Sequence, residues 1–297
     1  MLALWRPVAE PVWLMIEARL PPRPPDTHPL GCHRRRVADV VCFHGIVARL
    51  VTGCSWDVAG VLSGSSESTL RRRFREWTDA GVFDAAVEEA LAAYDSVVGF
   101  RLEDVAVDAS QHKAPTGGEA SGPNLWDRAK LGWKWSLLTD AAGIPIGWSI
   151  DAANRPDAKL LPATLDEVER RGLLDEIDRV HLDKGYSYQP VRDECARRGL
   201  VVEMPTRLTR SKTGHGRFSK GRRGRGYQHG PKMRPDPHRW QVERTNSWLT
   251  NFGQLRRNTD RRATDRAAQL ALAIVFIIAT KLVKHAKRYG AITRRPY

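Results

Sequence analysis

Three acidic residues, far apart in the chain, are of the type that holds divalent cations. Asp108 and Asp183 each close a segment with the composition of a strand, and Glu243 lies on a predicted helix. Because sites in open α/β sheets form beyond the carboxyl ends of strands, we expect the two aspartates to lie near each other. Carboxylates at close range need a cation between them, and oxygen ligands favour Mg²⁺ or Mn²⁺. A cluster of the three acids therefore predicts a site for two such ions, about 4 Å apart, that supports in-line phosphoryl transfer.

The helix that carries Glu243 is predicted from its start signals and its apolar spacing. Asp236 is a favourable N-cap, and Pro237 suits the first helical position. Arg239 lies one turn before Glu243, so a solvated ion pair between the two is the ordinary interpretation of Glu243 taken alone. The two aspartates favour the metal-ligand interpretation instead. One face of the helix is apolar at helical spacing and is expected to pack into a core, and it comprises Val242, Thr245, Leu249 and Phe252.

The residues around Asp108 and Asp183 predict alternating strands and helices. Asp108 is expected at the end of the first strand, and Asp183 directly after the fourth. This order predicts a mixed α/β sheet with flanking helices, in a region that spans residues 99–290. The predicted strands are residues 104–110, 131–139, 144–151, 177–182 and 200–204, and the helices between them end near residues 171 and 198.

A small all-α region, residues 31–98, is expected before this sheet. Ser55, and either Ser65 or Ser66, are predicted N-caps of two consecutive helices, the second of which spans residues 67–79. Two helices joined by a Gly-containing turn, the second rich in arginine, are typical of a helix-turn-helix. A plain helical bundle with a solvated basic face is the alternative. The arginines outside the inward apolar stripe are the predicted DNA contacts, and they are Arg71, Arg72 and Arg75.

The charge of the chain predicts a polyanionic partner. The 297 residues carry a formal net charge of +14, and nucleic acid is the first candidate for such a surface. The stretch from about residue 206 to 235 is dense in Arg, Lys and Gly, and its Arg222 and Arg223 are predicted contacts to a phosphate backbone. A disordered, solubilising loop is the alternative interpretation of this stretch.

We expect a cytoplasmic protein without a membrane span. The longest apolar run, residues 267–279, is shorter than a bilayer requires and predicts a buried core helix. Residues 1–30 form a Pro-rich segment without the pattern of a secretory signal. Four cysteines in a chain of this length indicate reduced thiols. Cys32, Cys42 and Cys54 lie close together, which leaves a zinc site as an alternative to core packing, although tight C-x-x-C spacing is missing.

Several segments around the acids resemble the motifs of a known family, and in the same order. They are Val107–Ser110, Gly118–Asp127, Asn154–Asp157, Leu182–Tyr186 and Trp240–Leu249. The sequence is similar here to the insertion-sequence transposases with a DDE site, of the type often called insertion sequence four/five. The likeness runs from about residue 30 to about residue 285. It implies a ribonuclease-H-like catalytic fold preceded by a helix-turn-helix, with metal ions held by Asp108, Asp183 and Glu243.

The resemblance also implies an activity and its partners. It implies a DNA transposase that cuts at the terminal inverted repeats of its element and joins the ends to target DNA. Because two ends must be handled together, a homodimer on DNA is expected, in a cytoplasmic protein associated with the nucleoid. A nuclease of the same fold that never joins ends is one alternative. A non-catalytic helix-turn-helix regulator is the other, and it would bind DNA without metal and leave it uncut.

The helix of Glu243 departs from one signature seen in part of this family, in which Tyr, Arg, Glu and Lys follow at fixed spacing. Arg239 and Glu243 match it, whereas Asp236 stands in the Tyr place and Thr250 in the Lys place. The backbone contacts assigned to that Tyr and Lys are then expected from Arg244, Arg256 or Arg257 instead. Lys184, which follows the second acid, and Arg239 are further predicted contacts to DNA.

Overall fold

The computed structural model describes residues 5–22, 36–204 and 236–290. The basic stretch, with Arg222 and Arg223, lies outside the described residues, and so does Cys32. Among the described residues, five helices precede a six-stranded sheet, and five further helices flank or follow its strands.

The N-terminal helices begin and end where caps and glycines direct them. Ser55 accepts a hydrogen bond from the Val58 backbone N–H at 3.3 Å, and Ser66 accepts one from the Thr69 N–H at 3.2 Å. Gly64 lies between the two helices in the left-handed conformation, with φ at 72°. The predicted caps are therefore confirmed. The helices are α1 (Arg6–Glu17), α2 (Asp39–Thr52), α3 (Trp56–Ser63), α4 (Glu67–Asp79) and α5 (Val82–Val97).

Helix α4 divides its side chains between core and solvent. The inward stripe is buried, as predicted, and comprises Leu70, Phe74 and Trp77. The arginines predicted to face DNA are exposed, and they are Arg71, Arg72 and Arg75. Arg73 differs from them, because it is only 1% exposed and forms an ion pair with the Asp39 carboxylate of α2 at 2.9 Å. One of the four arginines of α4 is thus part of the helical core.

The sheet has a ribonuclease-H-like order, in which an antiparallel half adjoins a parallel half. The order is β4-β3-β1-β5-β6, and the short β2 pairs with the start of β3. β3 runs antiparallel to β1 and β4, whereas β5 runs parallel to β1 and β6. The mixed α/β prediction is confirmed. The strands are β1 (Asp104–Lys113), β2 (Gly122–Asn124), β3 (Lys130–Thr139), β4 (Pro145–Ala152), β5 (Arg179–His181) and β6 (Val201–Glu203).

The first strand is longer than the sequence predicts. β1 continues to Lys113, which pairs with Gly132 of β3, so Asp108 lies in the middle of the strand and opposite Leu137. The prediction that Asp108 ends its strand was wrong. The physical reason is the long partner strand, because β3 offers a backbone ladder for each residue of β1 from Ala106 onward.

The remaining helices cover the sheet and close the core. Helix α6 (Leu161–Arg170) packs against β4 and β3, and α7 (Gln189–Arg197) against β6. Helix α8 (Trp240–Thr250) packs against β1 and β3, and the short α9 (Gly253–Arg256) leads into α10 (Ala263–Tyr289). Helix α8 is the element that brings Glu243 to the sheet.

Helix α10 is the central core helix of the described structure. It packs against α1, α4 and α5, and the buried residues of the helices and of the sheet form one continuous core. By length and composition it is apolar enough to cross a membrane, but 67% of its most apolar window is buried inside the fold. The boundary at residues 98 and 99 between a helical domain and a catalytic domain stays a prediction.

Candidate active site

Helix α8 begins later than predicted. It starts at Trp240, after a turn, so the predictions of Asp236 as N-cap and Pro237 as first helical residue were wrong. The Asp236 carboxylate instead accepts a hydrogen bond from the His238 backbone N–H at 2.9 Å and contacts the His181 ring at 2.7 Å. The Asp236 carboxylate is therefore held by His181 of β5 and does not cap the helix. The predicted apolar stripe is buried, and it comprises Val242, Thr245 and Leu249 on α8 and Phe252 just after it.

The parallel pairing of β1 and β5 brings the two aspartates together. In this register Ala106 lies opposite His181. Asp108 and Asp183 each follow two residues later, and side chains two apart along a strand point to the same side. Asp183 lies directly after β5, where its carboxylate accepts a hydrogen bond from the Lys184 backbone N–H at 2.6 Å. The prediction that the two aspartates are neighbours is consistent with this geometry.

One guanidinium group lies among all three predicted acids. The Arg239 side chain is 3.6 Å from the Asp108 carboxylate, 3.4 Å from that of Asp183 and 3.4 Å from that of Glu243. These are distances for ion pairs rather than for short hydrogen bonds. Residues from β1, from the end of β5 and from α8 therefore converge on a single cation, although they are separated by up to 135 positions in the chain.

The three acids have the properties of a cation site. Three carboxylates face one guanidinium, so negative charge is in excess. The Asp108 side chain is 24% exposed, whereas those of Asp183 and Glu243 are 48% and 53% exposed, so the site is floored by the sheet and open toward solvent. The donors are all oxygens, which suits hard cations such as Mg²⁺ or Mn²⁺. The residues present thus fit the metal ions that the sequence predicts.

A hydrogen-bond chain fixes Asp108 from below. The Asn246 amide donates to Asp108 Oδ2 at 2.9 Å, and the Asn246 carbonyl oxygen accepts from the Trp135 indole at 2.8 Å. Burial raises the pKa of Asp108 to about 6, against the opposing effects of Arg239 and Asn246. The other carboxylate oxygen of Asp108 faces Arg239.

Asn246 is the residue of the site whose role the sequence did not show. In the sequence it is one of several polar residues on the helix of Glu243. Its spacing of three residues from Glu243 was the available signal, because residues three apart on a helix point in similar directions. Trp135 lies on β3 and could not be paired with Asn246 before the packing of α8 on the sheet was known.

The predicted phosphate contacts are placed at different distances from the acids. Lys184 directly follows Asp183 and is half-buried, and Arg239 lies among the acids. Arg244 instead donates a hydrogen bond to the Ala142 carbonyl at 2.6 Å, in the turn between β3 and β4. Its guanidinium also lies between two indole rings, 4.5 Å from that of Trp240 and 4.7 Å from that of Trp248. In this arrangement Arg244 braces α8 against the hairpin.

The sequence matches the models of two related families over most of its length. Residues 99–280 match the model of the transposase DDE domain. Residues 8–87 match the model described as a putative transposase of the IS4/5 family. The first match contains all three acids and the whole sheet, and the second contains most of α1 and the whole of α2, α3 and α4.

Two curated proteins of Burkholderia cepacia are similar in sequence. The putative transposase for insertion sequence element IS402 is 32% identical over 162 residues, which cover 53% of this chain and 67% of that protein. The insertion element IS402 uncharacterized 16.2 kDa protein is 31% identical over 116 residues, which cover 39% of this chain and 78% of that protein.

Solved structures show a fainter likeness. The Mos1 transposase paired-end complex with left transposon end is 13% identical, with a TM-score of 0.25, over 66% of this chain and 72% of that chain. Because so low a TM-score carries no argument, the fold assignment rests on the strand order. The family rests on the two sequence matches, which together span the helices and the sheet. The chain belongs to the DDE transposases of insertion sequences, in the IS4/5 family.

Proposed function

We propose that this transposase cuts DNA at the terminal inverted repeats of its element and joins the ends to target DNA, with Asp108, Asp183 and Glu243 as the metal ligands. The observation that carries the proposal is the convergence of the three carboxylates on Arg239. Like charges gather at such a distance only where a cation compensates them, and one guanidinium leaves negative charge in excess. Two Mg²⁺ or Mn²⁺ ions are the compensating cations that the oxygen donors favour.

Each residue of the site has a distinct task in this proposal. When bound, the metal ions supply activation of the attacking oxygen and stabilisation of the leaving oxygen at the scissile phosphate. Asp108 is the most buried of the three acids and is held by Asn246, so it defines the fixed side of the site. Asp183 and Glu243 lie on the open side, where DNA approaches. Arg239 is then released from the carboxylates to pair with a phosphate oxygen.

The basic residues of the chain are proposed to hold the DNA around this site. Lys184 lies beside the second acid, and Arg71, Arg72 and Arg75 form the exposed basic face of α4. Arg222 and Arg223 are proposed to contact the backbone from the basic stretch. Arg244 supports DNA binding indirectly, because it fixes the position of α8. The helix-turn-helix recognises the element's ends, and a homodimer, associated with the nucleoid, handles two ends together.

The test compares binding and cleavage on DNA that carries the element's ends. Asp183→Asn should abolish Mg²⁺-dependent cleavage and leave binding to the ends intact. Asp193→Asn, an exposed acid on α7, is the matched control and should cleave normally. Cleavage by Asp183→Asn at the rate of the unaltered protein would contradict the assignment of the site.

A second assay separates transposition from plain cleavage. Pre-cut ends are supplied with a target plasmid and Mg²⁺, and joined products are scored. Joining supports the transposase proposal. Cleavage without any joining indicates a nuclease, and binding without either reaction indicates a regulator.

A further inference from the structure

A second group of metal-binding side chains lies beneath the three acids. Asp104 begins β1, His181 ends β5, and His238 lies in the turn before α8. One ligand atom from each lies within 4.8 Å of the others. The His181 Nε2 atom is 2.9 Å from Asp104 Oδ1, and the His238 Nδ1 atom is 4.0 Å from Asp104 Oδ2. The family's three-acid site contains none of these residues.

Asp236 orients the central histidine of this group. Its Oδ2 atom is 2.7 Å from His181 Nδ1, the ring nitrogen on the side away from Asp104. A carboxylate that accepts the N–H of one ring nitrogen directs the lone pair of the other nitrogen toward a metal ion. His181 is only 5% exposed, so this orientation is held by packing as well as by the hydrogen bond.

The donor set selects the kind of metal. Two imidazoles and one carboxylate suit Zn²⁺, whereas Mg²⁺ prefers oxygen donors alone. A zinc ion bonds to histidine nitrogen at about 2.0–2.1 Å and to carboxylate oxygen at a similar distance. The distance of 2.9 Å between His181 Nε2 and Asp104 Oδ1 is close to the separation of two ligand atoms on one zinc ion. The His238 ring stacks on the His181 ring, with the centroids 4.5 Å apart. Its side chain is 42% exposed and lies in a turn, so the ring can rotate out of this stack to close the remaining gap.

The position of the group relates it to the acids. Asp104 precedes Asp108 by four residues, and His181 precedes Asp183 by two. His238 is followed directly by Arg239 and after five residues by Glu243. The same three chain segments therefore contribute one residue each to this group and one residue each to the three acids. Along β1, Asp104 and Asp108 are about 13 Å apart, at 3.3 Å per residue, so the two sites are distinct.

We propose that Asp104, His181 and His238 bind a zinc ion that ties the start of α8 to β1 and β5. Asp236 supports the site through His181, and water completes the tetrahedron. Arg179 competes for the same carboxylate, because its Nε atom is 2.8 Å from Asp104 Oδ1. Its side chain is 49% exposed and can turn to solvent when the metal binds. The bound ion would hold α8 at the register in which Glu243 reaches the aspartates.

The experiment titrates the metal-stripped full chain with Co²⁺, the spectroscopic substitute for zinc. About one equivalent should give the intense visible absorption of a tetrahedral site with nitrogen ligands, and Zn²⁺ should displace it. His238→Ala should weaken Co²⁺ binding by more than about 100-fold, since loss of a supporting residue alone costs 10–100-fold. Asp236→Asn should weaken it by about 10–100-fold. His44→Ala, at an exposed histidine of α2, should bind as the unaltered protein does.

A combined variant separates this site from the acids. Asp183→Asn with Glu243→Gln should lose DNA cleavage but keep the tetrahedral Co²⁺ spectrum. Zn²⁺ should raise the Tm of that variant, and it should leave the Tm unchanged once His238→Ala is added to the same variant. No tetrahedral spectrum in the unaltered protein, or an equal one in His238→Ala, would overturn the proposal. His181 would then serve only as a hydrogen-bonded bridge between the Asp104 and Asp236 carboxylates.

Discussion

Asn246 donates its side-chain amide to Asp108 at 2.9 Å and accepts from Trp135 at 2.8 Å with its other polar atom. The three residues come from α8, β1 and β3, so one chain of hydrogen bonds joins the helix to two strands of the antiparallel half. Each polar group of Asn246 is thereby fixed in direction. The Asp108 oxygen that remains faces Arg239 and is the one available to a cation.

The first prediction concerns this contact. Asn246→Ala should lower the rate of Mg²⁺-dependent cleavage by about 10–100-fold and raise the Mg²⁺ concentration needed, as loss of a residue that orients a metal ligand does. It should also lower the free energy of unfolding by about 1–3 kcal/mol, because the Trp135 indole loses its acceptor. Cleavage rates against Mg²⁺ concentration and urea unfolding provide the measurements.

Two variants serve as controls for Asn246. Ser247→Ala changes an exposed polar residue of the same helix and should alter neither quantity. Trp135→Phe removes the donor to Asn246 but leaves Asp108 its partner, so its Mg²⁺ requirement should rise less than that of Asn246→Ala. An unchanged Mg²⁺ requirement in Asn246→Ala would show that Asp108 needs no such support.

The second prediction concerns Arg239 as the counterion of the acids. Arg239→Gln should destabilise the protein in EDTA by about 1 kcal/mol, a modest cost because Asp183 and Glu243 are half exposed. Mg²⁺ should then raise the Tm of the variant more than that of the unaltered protein, since the ions replace the lost cation. Arg256→Gln removes an exposed charge on α9 and should not change the effect of Mg²⁺ on the Tm. If Mg²⁺ raised the Tm of Arg239→Gln and of the unaltered protein equally, the ions would bind away from the three acids.

The third prediction follows from the raised pKa of Asp108. Burial first, then Glu243 and Asp183, raise this pKa to about 6 in the folded protein, from an ordinary value near 3.8. The folded state then binds the proton more tightly than the unfolded state, so the charged carboxylate destabilises the fold above pH 6 and this cost is relieved below it. In EDTA, the free energy of unfolding should therefore rise by about 1 kcal/mol between pH 7 and pH 5, relative to Asp108→Asn.

Divalent metal should abolish this dependence of the unfolding free energy on pH. Ions that hold Asp108 in its charged form make the charged state favourable, so with saturating Mg²⁺ the gain on acidification should disappear and Mg²⁺ affinity should fall below pH 6. Chemical unfolding at three pH values, with and without Mg²⁺, gives both results. A pH profile identical to that of Asp108→Asn in EDTA would show that this carboxyl titrates normally.

Much of this architecture could be predicted because its signals are local. Ser55 and Ser66 cap helices through bonds that span only three residues, and the stripe of α8 is set by helical spacing. The alternation of strands and helices likewise predicts a mixed sheet. The two aspartates could be placed together from the strands that they follow. Glu243 could be joined to them only through the family resemblance, since nothing in its spacing brings it to the aspartates.

The features that sequence reasoning missed all depend on distant partners. Asp236 is a favourable N-cap by residue type, yet its carboxylate contacts His181 instead and α8 starts only at Trp240. Arg73 is of the same residue type as its exposed neighbours in α4, yet it is buried and forms an ion pair with Asp39 of α2. In each case a tertiary ion pair or hydrogen bond outweighs a local preference of about 1 kcal/mol.

The fourth prediction uses the contrast within α4. Arg73 is 1% exposed and paired with Asp39, so Arg73→Ala leaves a carboxylate without its buried partner and should cost about 3 kcal/mol in unfolding free energy. Arg72→Ala, at the next position, should change stability by less than about 0.5 kcal/mol. It should instead weaken DNA binding and lower by about one the slope of log K against log salt, because one phosphate contact is lost. Urea unfolding and binding at several salt concentrations test both variants. If Arg72→Ala bound DNA with an unchanged salt slope, the exposed face of α4 would not be the DNA-binding face, and the helix-turn-helix interpretation would give way to a plain helical bundle.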